Sequence, residues 1–135
     1  MSFGAYRKSL GQKSEQGKYE LLRFCNKLNT SVVGGASRLL KYFIKMNNPL
    51  EIISYSDKCW SSGNLYKELG FEYLSTSDPN YYYIIDDVRR HRFNYRKDKL
   101  VKLGHDAKLT ESQIMTNLGY DRIYDCGSDK WKLSL

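Results

Sequence analysis

At 135 residues and 15.8 kDa the chain is long enough for one domain around one core and too short for two. Its 41% hydrophobic and 27% charged residues are the proportions of a water-soluble globular protein, and no apolar run approaches the roughly 20 residues of a membrane span. The formal charge of +7, with a pI near 9.3, turns attention to anionic partners.

The opening MSFGAYRKSLGQK has no apolar h-region and does not read as a signal peptide, so an intracellular protein is expected. Residues 1–7 are apolar and partly aromatic, and 19–26 (YELLRFCN) are similar. The polar, glycine-containing GQKSEQGK between them reads as a hairpin loop. After Gly34-Gly35 a helical period begins: Ala36, Leu39, Leu40, Phe43 and Ile44 share one face, and Arg38, Lys41 and Lys45 take the other. Asn47-Asn48-Pro49 stops it, because proline disfavours helical geometry in the residue before it. LEIISYS (50–56) reads as a sheet-interior strand. A short helix over 63–69 ends at Gly70, and FEYLSTS (71–77) and NYYYIID (80–86) follow as strands. Thr110-Glu111-Ser112-Gln113 matches a capping box that opens a further helix. The final GYDRIYDCGSDKWKL suggests a small hairpin turning at Gly127-Ser128.

Cys25, Cys59 and Cys126 form no CxxC pair, and only His91 and His105 are available beside them, so no zinc site is expected. They read as reduced, mostly buried thiols. The charge is concentrated in RRHRFNYRKDKLVK (89–102), which carries seven Lys or Arg against the single Asp98, with Phe93 and Tyr95 interleaved. Arg89, Arg90, Arg92, Arg96, Lys97 and Lys99 are therefore candidate nucleic-acid contacts: cations neutralise phosphates and aromatic rings offer faces to unstacked bases. The alternative is a solvated face with two aromatics turned into the core. No Walker-type phosphate loop and no paired-histidine nuclease constellation occurs, and the tyrosines at 81–83 lack the partner motif of a GIY-YIG nuclease. The chain is not expected to cut DNA by itself.

SVVGGASRLLKYFI, then IISYSD, then SGNLYKELGFEYLSTSDPNYYYI resemble the second half of a GNAT (acetyltransferase-like) domain. The likeness is to GNAT-like domains in phage proteins, including those attached to homing endonucleases, and more distantly to Mom-type proteins that modify DNA bases. It covers about residues 1–101. It implies an α/β fold: a truncated mixed sheet with two flanking helices, lacking the family's first strand, two helices and following strand, so that a sheet edge is left for a second copy of the chain to cover. It also implies a GNAT-like core over 1–88, a basic arm over 89–109 and a C-terminal helix-hairpin over 110–135. A phage-encoded chain would act in the cytoplasm of the infected host cell.

The resemblance assigns acyl-CoA pyrophosphate to the helix start at Val33, Gly34, Gly35, Ala36, Ser37 and Arg38, where free amides and the helix dipole favour an anion. It places Tyr66 where a tyrosine reprotonates the leaving thiolate. It makes Glu20 a candidate general base; Asp57, at the strand end where α/β ligands often bind, is a candidate base or a group that orients a base-pairing edge. The structural alternatives are a helix-starting turn, a tyrosine packed under the sheet, and carboxylates paired with Arg23 or Lys58. Two functions follow: a nucleic-acid-associated binding or interaction module (DNA favoured, with a host or phage protein as a further partner), or an acyltransferase using acetyl-CoA or another acyl-CoA on DNA or on a nucleic-acid-bound protein.

Overall fold

The computed structural model describes residues 1–7 and 11–135. The fold is mixed α/β with a five-stranded and a three-stranded sheet. The chain forms two compact units, Met1–Ser77 with Gly127–Leu135, and Asp78–Cys126, so the divisions fall elsewhere than at 88 and 109.

The first unit contains β1 (Ser2–Gly4), β2 (Lys18–Arg23), α1 (Gly35–Asn47), β3 (Glu51–Asp57), α2 (Asn64–Glu68), β4 (Glu72–Thr76) and β8 (Ser128–Ser134), with the sheet ordered β1-β2-β3-β8-β4. β1 and β2 are antiparallel, as the hairpin reading requires, while β2 and β3 are parallel and joined through α1. Helical spacing on α1 buries Leu40 and sets Phe43 and Ile44 against a core of Leu21, Ile52, Phe71 and Trp131, to which Tyr66 and Leu69 also pack. Both helices thus lie on the face that carries Leu21, Ile52 and Trp131. Strand alternation sends Glu20, Glu51 and Tyr55 to the opposite face. There Tyr6 donates to Glu51 at 2.7 Å, and Lys132 pairs with Glu51 at 2.7 Å.

The expected C-terminal hairpin does not form. β8 runs antiparallel to both β3 and β4, filling the place between them, while β7 (Asp121–Tyr124) joins the other sheet. Gly127, with φ 75, is a local turn signal, but strand partners are chosen by the apolar face: the alternation of Lys130, Trp131, Lys132 and Leu133 delivers Trp131 and Leu133 to the first core.

The second unit contains β5 (Tyr81–Ile85), β6 (Val88–His91), a 3₁₀ turn (Arg92–Tyr95), α3 (Lys97–Lys102), α4 (Glu111–Asn117) and β7, with β5 central in an antiparallel β6-β5-β7 sheet. The segment expected to be an arm is therefore a strand, a turn and a helix. Asp86 and Asp87, at φ 51 and 58, form the two-residue turn between β5 and β6, a left-handed pair whose twist suits a tight hairpin. Tyr83, Ile85, Leu100, Ile114 and Met115 make this unit's own core. The capping box forms as read: Thr110 Oγ1 accepts from Gln113 N at 3.2 Å, and Gln113 Oε1 accepts from Thr110 N at 2.9 Å.

Candidate functional site

The sequence-predicted residues fall into several separate places. The helix start behaves as expected for its backbone. Gly34 is the N-cap at φ 69, a conformation that favours glycine, and open space surrounds it. Gly35 N donates to the Val32 carbonyl and Arg38 N to Gly34, while the amides of Ala36 and Ser37 stand in the first turn, where no intrahelical acceptor exists. Val33 and Arg38 are exposed. Just before this loop β2 and β3 pair only from Lys18↔Glu51 to Glu20↔Ile53, although the strands continue to Arg23 and Asp57.

Tyr66 sits at that divergence. Its hydroxyl is 2.9 Å from Ser54 Oγ and 3.3 Å from the Tyr55 carbonyl, and Ser54 Oγ is 2.8 Å from the Leu21 carbonyl. Side-chain oxygens thus satisfy a backbone carbonyl where the ladder between β2 and β3 has opened. The ring is stacked on Trp131 at 5.5 Å and meets Phe71 edge-on. This is the packing role weighed against the acid role. Tyr66→Phe is expected to cost about 1–2 kcal/mol, because it removes both the contact with Ser54, which keeps Leu21 as an acceptor, and the donation to the Tyr55 carbonyl. Urea unfolding of the two proteins checks it.

Glu20 is 1% exposed and its carboxylate is ion-paired with Arg7, not with Arg23 or Lys58; no other hydrogen bond reaches it among the described residues. Arg7 in turn lies 5.7 Å from the Tyr55 ring. Glu20 therefore belongs to the Tyr55 face of the sheet and Tyr66 to the Ser54 face. The structure does not bring these two together. Asp57 is exposed, and its carboxylate accepts from Cys59 N at 2.8 Å, holding the turn after β3 rather than an ion pair with Lys58.

The basic segment lies entirely in the second unit. Arg89, Arg90, Arg92, Arg96 and Lys97 are exposed and Lys99 is half-buried. Arg96 is 3.4 Å from Asp98, the one ion pair found in this unit among the described residues. The two interleaved aromatics part ways: Tyr95 packs against Tyr83 in the core, and Phe93 stays 53% exposed. Arg96 and Lys99 lie 5.6 and 4.1 Å from the Phe93 centroid, and the Arg89 guanidinium lies 3.7 Å over Tyr82. These are cation–π distances.

Sequence reasoning missed one cluster here. Glu111 accepts from the hydroxyls of Tyr81 (2.7 Å) and Tyr83 (2.8 Å), and Arg122 donates to Tyr83 at 3.0 Å while lying 4.4 Å over the Tyr81 ring. Burial, more than the Glu111 carboxylate, pushes the Tyr83 phenol up to about 12, so it stays protonated. The cluster ties β5, α4 and β7 together. Its signal, alternate tyrosines on one strand, was visible at 81 and 83; its carboxylate partner, 28 residues away from Tyr83, was not.

All three cysteines are exposed, which corrects the expectation of mostly buried thiols. None forms a disulfide. Among the described residues no group of three His, Cys, Asp or Glu converges to hold a metal ion, and no helix is long and apolar enough to cross a membrane. No protein-family model matches the chain, and no curated protein matches it.

Proposed function

We propose that this protein is a nucleic-acid-associated module of the phage GNAT-like kind, accessory to a homing endonuclease or acting against host defence, with DNA as the favoured nucleic acid. The observation that carries the reading is the set of exposed cations on the second unit. Arg89, Arg90, Arg92, Arg96 and Lys97 are all exposed, and among the described residues an ion pair to a carboxylate is found for Arg96, with Asp98. Exposed cations that lack carboxylate partners are available to phosphates, and binding them releases condensed counterions.

Affinity for an oligonucleotide measured by fluorescence anisotropy should fall steeply with salt. Neutralising the five residues together should flatten the log–log slope by roughly 0.7–0.9 for each phosphate contact removed. An affinity and slope left unchanged by these substitutions would remove the surface from the argument.

Acyl transfer is the second reading, and the helix start supports its binding half. The amides of Ala36 and Ser37, an open Gly34 and parted parallel strands suit a pyrophosphate. The catalytic half fits poorly, because Glu20 and Tyr66 occupy opposite faces of the sheet and the Tyr66 hydroxyl is engaged with Ser54 and the Tyr55 carbonyl. Acetyl-CoA at a hundred times its dissociation constant would stabilise the fold by roughly 2.7 kcal/mol; no thermal shift at millimolar ligand removes this reading.

A further inference from the structure

We propose that the nucleic acid held by the second unit is single-stranded, and that its bases stack along three rings, Tyr82, His91 and Phe93. The inference rests on the nucleic-acid reading above and adds to it the form of the ligand.

The rings are placed by strand alternation and one cap. Tyr83 is fully buried under α3 and α4, so its neighbour Tyr82 projects from the opposite face of the sheet. His91 stands directly across from Tyr82 in the ladder, with ring centroids 5.6 Å apart and edge to face. His91 Nδ1 then accepts from Phe93 N at 3.2 Å, which fixes the turn that presents the exposed Phe93. Tyr82 and His91 thus meet ring to ring, and His91 is joined to Phe93 through the Phe93 amide. Each end carries cations: Arg89 over Tyr82, and Lys99 and Arg96 over Phe93. Arg89 covers one face of Tyr82 and Lys99 lies over one face of Phe93, so a base can meet only the opposite face of each ring, with a cation at hand for its phosphate.

Charge sets where the strand lies. Toward the β5–β6 turn the same sheet ends in Asp86, Asp87 and Asp121, which repel phosphate. Toward Phe93 the charges are cationic. Beside Arg89 and His91 the face offers the apolar Ile84 and Ile123. In a duplex the base faces are already stacked on each other; a flat ring gains them only from an unpaired strand.

The test is fluorescence anisotropy with a labelled oligo(dT) and a hairpin duplex of equal length, for the wild type, Phe93→Leu and Phe93→Tyr, at two salt concentrations. Oligo(dT) should bind at least about tenfold tighter than the duplex, and Phe93→Leu should weaken it by about tenfold without changing the salt slope. Leucine keeps the apolar bulk and removes the π face, so Phe93→Tyr should restore binding where a mere packing role would be met by leucine. An oligonucleotide containing 5-iodouracil should photocrosslink to Tyr82, His91 or Phe93. Equal affinity for duplex, an unchanged Phe93→Leu affinity, or crosslinks confined to other residues would overturn the track, while a salt slope that still responds to the arginines would leave the broader reading standing. Absence of binding to either oligonucleotide would overturn both.

Discussion

Gly63→Ala is expected to destabilise the first unit by about 2–5 kcal/mol, a large share of the roughly 5–15 kcal/mol that holds a domain folded. Two effects add. Gly63 is the N-cap of α2 at φ 75, where an L side chain is strained by about 1–2 kcal/mol. Its Cβ would also fall against Trp131 Cζ2, with Cη2 at 2.9 Å and Cε2 at 3.1 Å. The indole has nowhere to retreat: it is 3% exposed, stacked on Tyr66, and donates from Nε1 to Ser56 Oγ at 2.7 Å. Overpacking such a site costs a further 1–3 kcal/mol or so. Gly34→Ala separates the two effects, because Gly34 has a similar φ of 69 and nothing within 4 Å of its Cβ position. That variant should lose only about 1–2 kcal/mol. Urea unfolding of both variants checks the difference, and equal losses would mean that Trp131 yields.

The same contact shows which parts of the fold were legible. Gly63 reads locally as the start of a short helix, and that helix forms. Nothing local says that its missing Cβ makes room for a tryptophan 68 positions later in the chain. Likewise α1, β3 and the capping box at Thr110 depend on spacings within a few residues and could be read directly. The partner of β8 depends on which apolar face is vacant after the other strands have assembled, and a two-residue alternation is silent on that choice. The turn signal at Gly127 was real, yet it separates two strands that enter different sheets.

The candidate sites divide along the same line. Residue type and charge density marked the 89–102 surface, because a run of cations with little acid is a local property. The division between Tyr95 in the core and Phe93 in water was not legible: both are aromatic and two apart, and the 3₁₀ turn that separates their directions is set by His91. The roles assigned to Glu20 and Tyr66 came from positions in a resembling pattern, and such positions carry no information on which face of the sheet each side chain takes. Alternation about β2 and β3 decides that. It gives Glu20 to the Arg7–Tyr55 side and leaves Tyr66 stitching the opened ladder through Ser54.

Acid is expected to weaken the first unit through Glu51. The Lys132 ammonium, followed by the Tyr6 hydroxyl, holds its carboxyl down to about 2 from an ordinary 4.5, against a smaller opposing effect of burial. A carboxylate whose folded pKa is depressed stabilises the fold fully above its unfolded value. That contribution is lost as pH falls from about 4.5 through about 2, where the folded form also takes up a proton. A gap of this size corresponds to about 3 kcal/mol at neutral pH. Glu51→Gln isolates it from the other carboxylates, which titrate alike in both proteins. The variant should be less stable than the wild type at pH 7, and the difference should shrink below pH 4.5 and close near pH 2. Urea midpoints at pH 7, 4.5, 3 and 2 measure the difference. A gap that stays constant across that range would mean that the Glu51 carboxyl titrates alike in the folded and unfolded chain, so that its charge is not what stabilises the fold.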